Sequence, residues 1–167
     1  MREMRLHKRE VTDLRQIREI LEECQVMRLG TADEEGIMIV PVNFGYELEE
    51  DQKKLRLYFH SAKEGRKADA FLKNPEVAVE MDCRHGLIKG DYACAYSYSF
   101  ASIMGKGVLK KAETLEEKAN GLTLIMNHCA PGEKAEFSKE ALERTDVYCI
   151  HMTDFIGKCR MPKKQEE

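Results

Sequence analysis

An antiparallel β barrel carrying a few helices is the fold class this sequence predicts. Two observations lead there. About six stretches have strand character with turn signals between them, and the helical stretches enter singly rather than after every strand. A regular βαβ sheet would need a helix after each strand. The chain has 167 residues and 43% hydrophobic content, enough for a core that needs no metal or disulfide staple. The expectation is a single domain over residues 1–167, with a tail from about 161 too polar to pack.

Leu14, Ile17, Leu21 and Cys24 recur at helical spacing behind Asp13. With Gln16 three residues on, this is a capping-box pattern that predicts a helix over 13–24. VMRLGTA (26–32) and IMIVPVNFGY (37–46) flank the turn Asp33-Glu34-Glu35-Gly36, whose glycine can take the positive φ of a tight hairpin. In LRLYFH, Leu55, Leu57 and Phe59 alternate with Arg56, Tyr58 and His60, a half-buried strand. Ser61-Ala-Lys-Glu64 has the form of a second capping box, and Ala68, Phe71 and Leu72 give the helix over 62–73 an apolar stripe before Asn74-Pro75 stops it. Strands follow around 77–82 and 94–112, the second bent at Gly105 and Gly107. Thr114 and Glu117 form a third capping box, opening a helix with Leu115, Ala119, Leu122 and Met126 on one face and ending near Pro131-Gly132. Ser138 to Arg144 adds a short helical turn, and alternation from Val147 to Met152 marks the last strand.

Composition excludes several function classes. With 27 basic against 30 acidic residues and a formal charge of −3, there is no basic stripe of the kind that neutralises nucleic-acid phosphates. No window approaches the ~20 apolar residues of a membrane span, and MREMRLHKRE lacks an export-type apolar region, so the expected location is cytoplasmic. The six cysteines form no CxxC pair and are expected to be reduced. Cys83-x-His85, Cys149-x-His151 and His128-Cys129 offer soft ligands, but none has zinc-finger spacing, and no metal is expected.

Two segments point to chemistry. In FHSAKEGRKADAF a strand ends at His60-Ser61 and a helix brings Arg66 and Lys67 into its early turns. A helix start offers free N–H groups and a positive dipole end, and two added cations would make a phosphate seat. The same residues also suit a solvated helix face, and spacing does not choose between the two readings. Pro41-Val42-Asn43 interrupts an otherwise buried strand. A proline there belongs at an edge or bulge, where free backbone groups face either a planar ligand or solvent.

Taken in order, VMRLGTADEEG, VPVNFGY, LYFHSAKEGRKADAFLKNPEV, FASIMGKG and FIGKCR resemble the flavin-binding split-barrel family over nearly the whole chain. The branch most similar is that of the 5-nitroimidazole-resistance proteins, relatives of pyridoxamine 5′-phosphate oxidase. The resemblance implies a six-stranded antiparallel split barrel, a homodimer, and FMN held between subunits. It implies that Lys67, aided by Arg66, contacts the FMN phosphate, that His60 and Ser61 lie against the flavin, and that the backbone of Pro41, Val42 and Asn43 meets the isoalloxazine edge. Ser102 matches a serine near the flavin, contributed by either subunit. Phe100-Ala101-Ser102-Ile103 lacks the arginine that related sequences carry before this serine. The implied activity is an FMN-dependent oxidoreductase, of nitroreductase type, passing electrons to a small acceptor, with His60 as the candidate catalytic group. The alternative is a dimer that holds flavin or haem without turnover. Pyridoxamine-phosphate oxidase activity itself is not expected, because CRMPKKQEE has no counterpart of that enzyme's substrate-binding segment and the chain has no tryptophan.

Overall fold

Asp13 opens the first helix by accepting from the Arg15 N–H at 2.9 Å, without the predicted Gln16 reciprocity. That local cap sets the helix whose Ile17, Ile20 and Leu21 are buried. The structure is a computed structural model and describes residues 6–49, 51 and 53–162. Its elements in chain order are β1 (Glu10–Val11), α1 (Leu14–Glu23), β2 (Met27–Asp33), β3 (Gly36–Val42), β4 (Gly45–Glu49), β5 (Lys54–Ser61), α2 (Arg66–Lys73), β6 (Glu76–Ile88), β7 (Ser97–Lys111), α3 (Leu115–Cys129), α4 (Lys139–Arg144) and β8 (Asp146–Arg160). Of the predicted polar tail, residues 163–167 lie outside the described part.

Every strand pairing is antiparallel, and the main path runs β3-β2-β6-β7-β8-β5-β4, with β1 added beside β8. The two edges of that path, β3 and β4, are consecutive in the chain and joined only by Asn43 and Phe44. At ~3.5 Å per extended residue, so short a link forces the two edges close together there. The sheet therefore curls into a barrel that stays open between β3 and β4, the architecture of a split barrel.

Eight strands replace the predicted six. One is the two-residue β1; the other arises because the predicted strand over 37–46 breaks at Asn43-Phe44. Phe44 turns into the core, fully buried, against the His128 ring at 4.7 Å, and the chain leaves β2 to pair with β5 instead. Gly45 is required just after the break, since a Cβ there would run into the Leu124 backbone of α3. The predicted bend at the glycines of β7 appears as a register shift at Lys106/Gly107.

Two helices differ from expectation. The second begins at Arg66 rather than 62 because Ser61 stays in β5, paired with Asp146, and Gly65 is its N-cap, with no side-chain cap. The predicted Ser61–Glu64 capping box is not formed. Leu72 of its predicted stripe faces solvent, while Ala68, Ala70 and Phe71 are buried. In α3 the Thr114–Glu117 capping box forms as predicted. Its buried face is Lys118, Gly121 and Ile125 rather than the face through Leu115, Ala119, Leu122 and Met126. Gly121 allows close approach to Val147 and Tyr58, and Lys118 donates to the Leu142 and Thr145 carbonyls at 3.0 and 2.8 Å. Those polar contacts satisfy a buried ammonium and fix the helix's rotation.

The core fills the barrel with the inward residues of β2, β5, β6, β7 and β8, led by Leu29, Leu55, Leu57, Phe59, Met81 and Ile103. Phe59 stacks on Tyr148 at 5.3 Å and 15°, and Phe71 of α2 meets both rings edge-on at 5.7 and 5.6 Å. That aromatic triad seats α2 on the end of the barrel where β5 stops.

Candidate functional site

The strand β5 delivers His60 and Ser61 to opposite faces. His60 is exposed, whereas Ser61 points inward and is only 5% exposed, its Oγ without a partner among the described residues. A buried hydroxyl of this kind costs roughly 1–3 kcal/mol unless something supplies the missing bond. Tyr148 Oη and Thr31 Oγ1 are likewise buried and unpartnered. Beside them, Asp146 pairs with Lys111 at 2.5 Å. Sequence reading missed this inward polar group, because alternation marks which residues face inward but not which of their polar atoms remain unbonded.

After Ser61 the chain bends through residues 62–65 and enters α2. Gly65 has φ 109° and ψ 164°, a conformation essentially confined to glycine. A Cβ there would meet nothing within 4 Å, so the space above the start of α2 is open. With no side-chain cap, the first-turn N–H groups of α2 remain available as donors. Gly65→Ala is expected to cost more than about 1 kcal/mol of stability, read as a lowered urea midpoint, because alanine must adopt that same φ.

The two predicted cations differ in what they hold. Lys67 is half-buried and has no ion-pair or hydrogen-bond partner among the described residues. Arg66 is engaged: its Nε and Nη2 donate to the two Asp33 carboxylate oxygens at 2.7 and 2.8 Å, with Glu35 at 3.7 Å. Lys73 at the other end of α2 reaches Glu34 at 3.1 Å. The helix thus clamps the tip of the β2–β3 hairpin, at a cleft of about 370 Å³ that also includes Asp69. Arg66 holds the Asp33 carboxyl down at about 2, opposed by a smaller desolvation effect and helped by the Glu35 N–H. A carboxyl-carbon NMR titration should show Asp33 ionised down to that pH. Its folded-state value is depressed, so whatever stability the pair adds is present above about pH 4 and lost as pH falls toward 2. Asp33 was read from sequence only as a turn residue, since nothing local links it to a cation 33 positions away.

Pro41 and Val42 lie at the end of β3 away from the Asp33–Gly36 turn, and Asn43 begins the short link to β4, whose Gly45 pairs with Tyr58 of β5. Pro41 is exposed on β3, opposite Arg28 of β2, and the second edge of β3 has no strand partner among the described residues. Proline is tolerated there because an edge strand can spare one donor. Val42 packs against the core, and Asn43 Nδ2 donates to the Gln25 carbonyl at 2.9 Å. Ser102 sits on β7 opposite Asp82 and Lys158, nearly buried. The register places it nine residues along β7 from Lys111, which lies beside the β5 terminus through Tyr148. That is roughly 30 Å of strand at ~3.3 Å per residue. Within one chain, then, His60, Ser61, Arg66 and Lys67 follow one another from the end of β5 into α2, Asn43 lies two residues before Gly45, whose partner Tyr58 is two residues before His60, and Ser102 alone is set well along β7 from that end.

The His/Cys pairs take other roles. His85 Nε2 bonds Asp82 at 2.7 Å, and His128 Nε2 bonds the Cys24 carbonyl at 2.7 Å. His151 lines a second cleft of about 370 Å³ with Arg56, Tyr58, Lys110 and Cys149. Burial there, with Lys110 and Arg56 nearby, lowers the His151 pKa. Among the described residues no three His, Cys, Asp or Glu side chains are grouped to hold a metal ion, and no helix is long and apolar enough to cross a membrane.

A curled antiparallel sheet, split between β3 and β4 and closed at one end by α2, places this chain among the split barrels. It belongs to the pyridoxamine 5′-phosphate oxidase family, whose model matches residues 13–159. No curated protein matches it significantly. Among solved structures, it is similar to a candidate 5-nitroimidazole antibiotic resistance protein from Bacteroides thetaiotaomicron, at 29% identity and TM-score 0.77 over 90% of this chain and 86% of that one. A flavocytochrome from Azotobacter vinelandii superposes with TM-score 0.79 at 22% identity, covering 99% of this chain and 76% of the other. An FAD and heme binding protein from Mycobacterium smegmatis gives TM-score 0.80 at 14% identity, over 95% and 77% of the two chains. These last two share the fold.

Proposed function

We propose that this protein is an FMN-dependent oxidoreductase of nitroreductase type, acting as a homodimer on a small-molecule electron acceptor. The observation that carries the reading is Lys67, a cation without a partner among the described residues, in the first turn of a helix whose leading N–H groups have no side-chain cap. Free donors, a dipole end and a mobile ammonium suit a phosphate dianion. The orphaned Ser61 hydroxyl, four residues before Gly65, adds an unmet hydrogen-bonding need at the same strand end. The residues present fit a flavin mononucleotide.

Bound FMN would supply the electron transfer, which is cofactor rather than side-chain chemistry. Lys67 holds the phosphate by a charge-assisted bond, and the unpaired backbone edge of β3 around Pro41, Val42 and Asn43 offers hydrogen bonds to a planar ring. His60, exposed at the end of β5, gives a proton to the reduced acceptor. A homodimer is favoured by two features. Ile37 and Ile39 stand 84% and 68% exposed on one face of the open edge strand, an apolar strip suited to burial against a partner. Ser102 is far along the strands from Lys67, so a second chain is the means of bringing both to one cofactor.

Absorbance of the purified protein, FMN titration, and mass spectrometry of any released small molecule test the reading. A flavin spectrum with FMN released, bleached by a reductant and restored by a nitroaromatic, is expected. Protein that neither carries nor takes up flavin contradicts it, and flavin that never cycles with any acceptor favours the storage alternative.

A further inference from the structure

Arg66 does not stand ready for a ligand. Its fork is closed on Asp33, two parallel bonds of 2.7 and 2.8 Å that reproduce the geometry a phosphate would use. The surrounding cleft carries Asp33, Glu34, Glu35 and Asp69 against Arg66 and Lys73. Acids therefore outnumber bases four to two beside the free Lys67. The Asp33 side chain is the less exposed partner, and its Oδ1 also accepts the Glu35 N–H at 2.9 Å, so the turn itself fixes the carboxylate in place.

We infer that Asp33 is an internal competitor for the cofactor phosphate: its carboxylate occupies Arg66, and a phosphorylated flavin must displace it to gain that arginine. This rests on the flavin reading and adds its regulation. The Arg66–Asp33 pair is one link between the β2–β3 hairpin tip and α2, beside the Lys73–Glu34 pair and the packing of α2 on β2, and it is the link given up when Arg66 turns to a phosphate. The device sets a phosphate threshold, because only a dianion outbids a carboxylate already seated. Riboflavin, which has no phosphate, gains nothing from breaking the pair.

Asp33→Asn separates the possibilities. Asparagine keeps an Oδ1 acceptor for the Glu35 N–H and removes only the charge, so the turn is retained. FMN and riboflavin are titrated into wild-type protein, Asp33→Asn and Glu35→Gln by flavin fluorescence. The expected result is FMN binding about fivefold tighter for Asp33→Asn, the equivalent of one exposed ion pair at its upper worth. Glu35→Gln should show a smaller change in the same direction, and riboflavin should bind all three equally. FMN binding that is unchanged or weaker in Asp33→Asn overturns the inference, the weaker result showing that Asp33 positions Arg66 instead. So does an equal gain for riboflavin. Wild-type protein that binds neither flavin overturns the flavin reading and this inference together, whereas wild type that binds FMN without the Asp33 effect overturns this one alone.

Discussion

Lys67→Ala is expected to weaken FMN binding about ten- to a hundredfold while leaving riboflavin binding unchanged. The ammonium has no other partner among the described residues, so its removal breaks nothing inside the protein. The loss is that of a charge-assisted hydrogen bond, roughly 1.5–3 kcal/mol, which converts to that range of affinity. Unchanged thermal stability in the empty variant completes the expectation, since a half-exposed, unpaired lysine contributes little to folding. Equal weakening for both flavins would place Lys67 elsewhere than at the phosphate.

The second large effect is structural. Phe59→Ala is expected to cost about 3–5 kcal/mol, because the ring is fully buried and stacked on Tyr148 with Phe71 against its edge. For a chain of this length the midpoint of thermal unfolding should fall on the order of 10 °C. The consequence reaches the site, since Phe71 is the main aromatic anchor of α2 and Phe59 is half its seat. FMN affinity should fall as well, through a helix start that is no longer held. Leu72→Ala on the exposed face of the same helix is the control and should change neither quantity appreciably.

What could be read from sequence follows from how local each signal is. The Thr114–Glu117 cap, the Asp13 cap and the Asp33–Gly36 turn depend on residues within four positions, and each lies where the pattern places it. The break at Asn43-Phe44 was illegible because its cause is tertiary: Phe44 is pulled into the core against His128, 84 residues on, and nothing nearby marks the turn. Ser61 misled for the complementary reason. Its spacing to Glu64 fits a cap, but pairing with Asp146 in a long strand outweighs one capping bond. The candidate site was legible as a segment, His60 to Lys67, and not as an electrostatic arrangement. The Arg66–Asp33 pair joins elements far apart in the chain, and it decides which of two adjacent cations is free.

The most direct test of the central claim is a crystal structure of the protein grown with FMN. Two chains in contact are expected, with the phosphate against Lys67 and the first-turn N–H groups of α2, and the ring along the open edge of β3 near Asn43. A phosphate bound away from α2, or a flavin seated within a single chain without a partner's contribution, would contradict it.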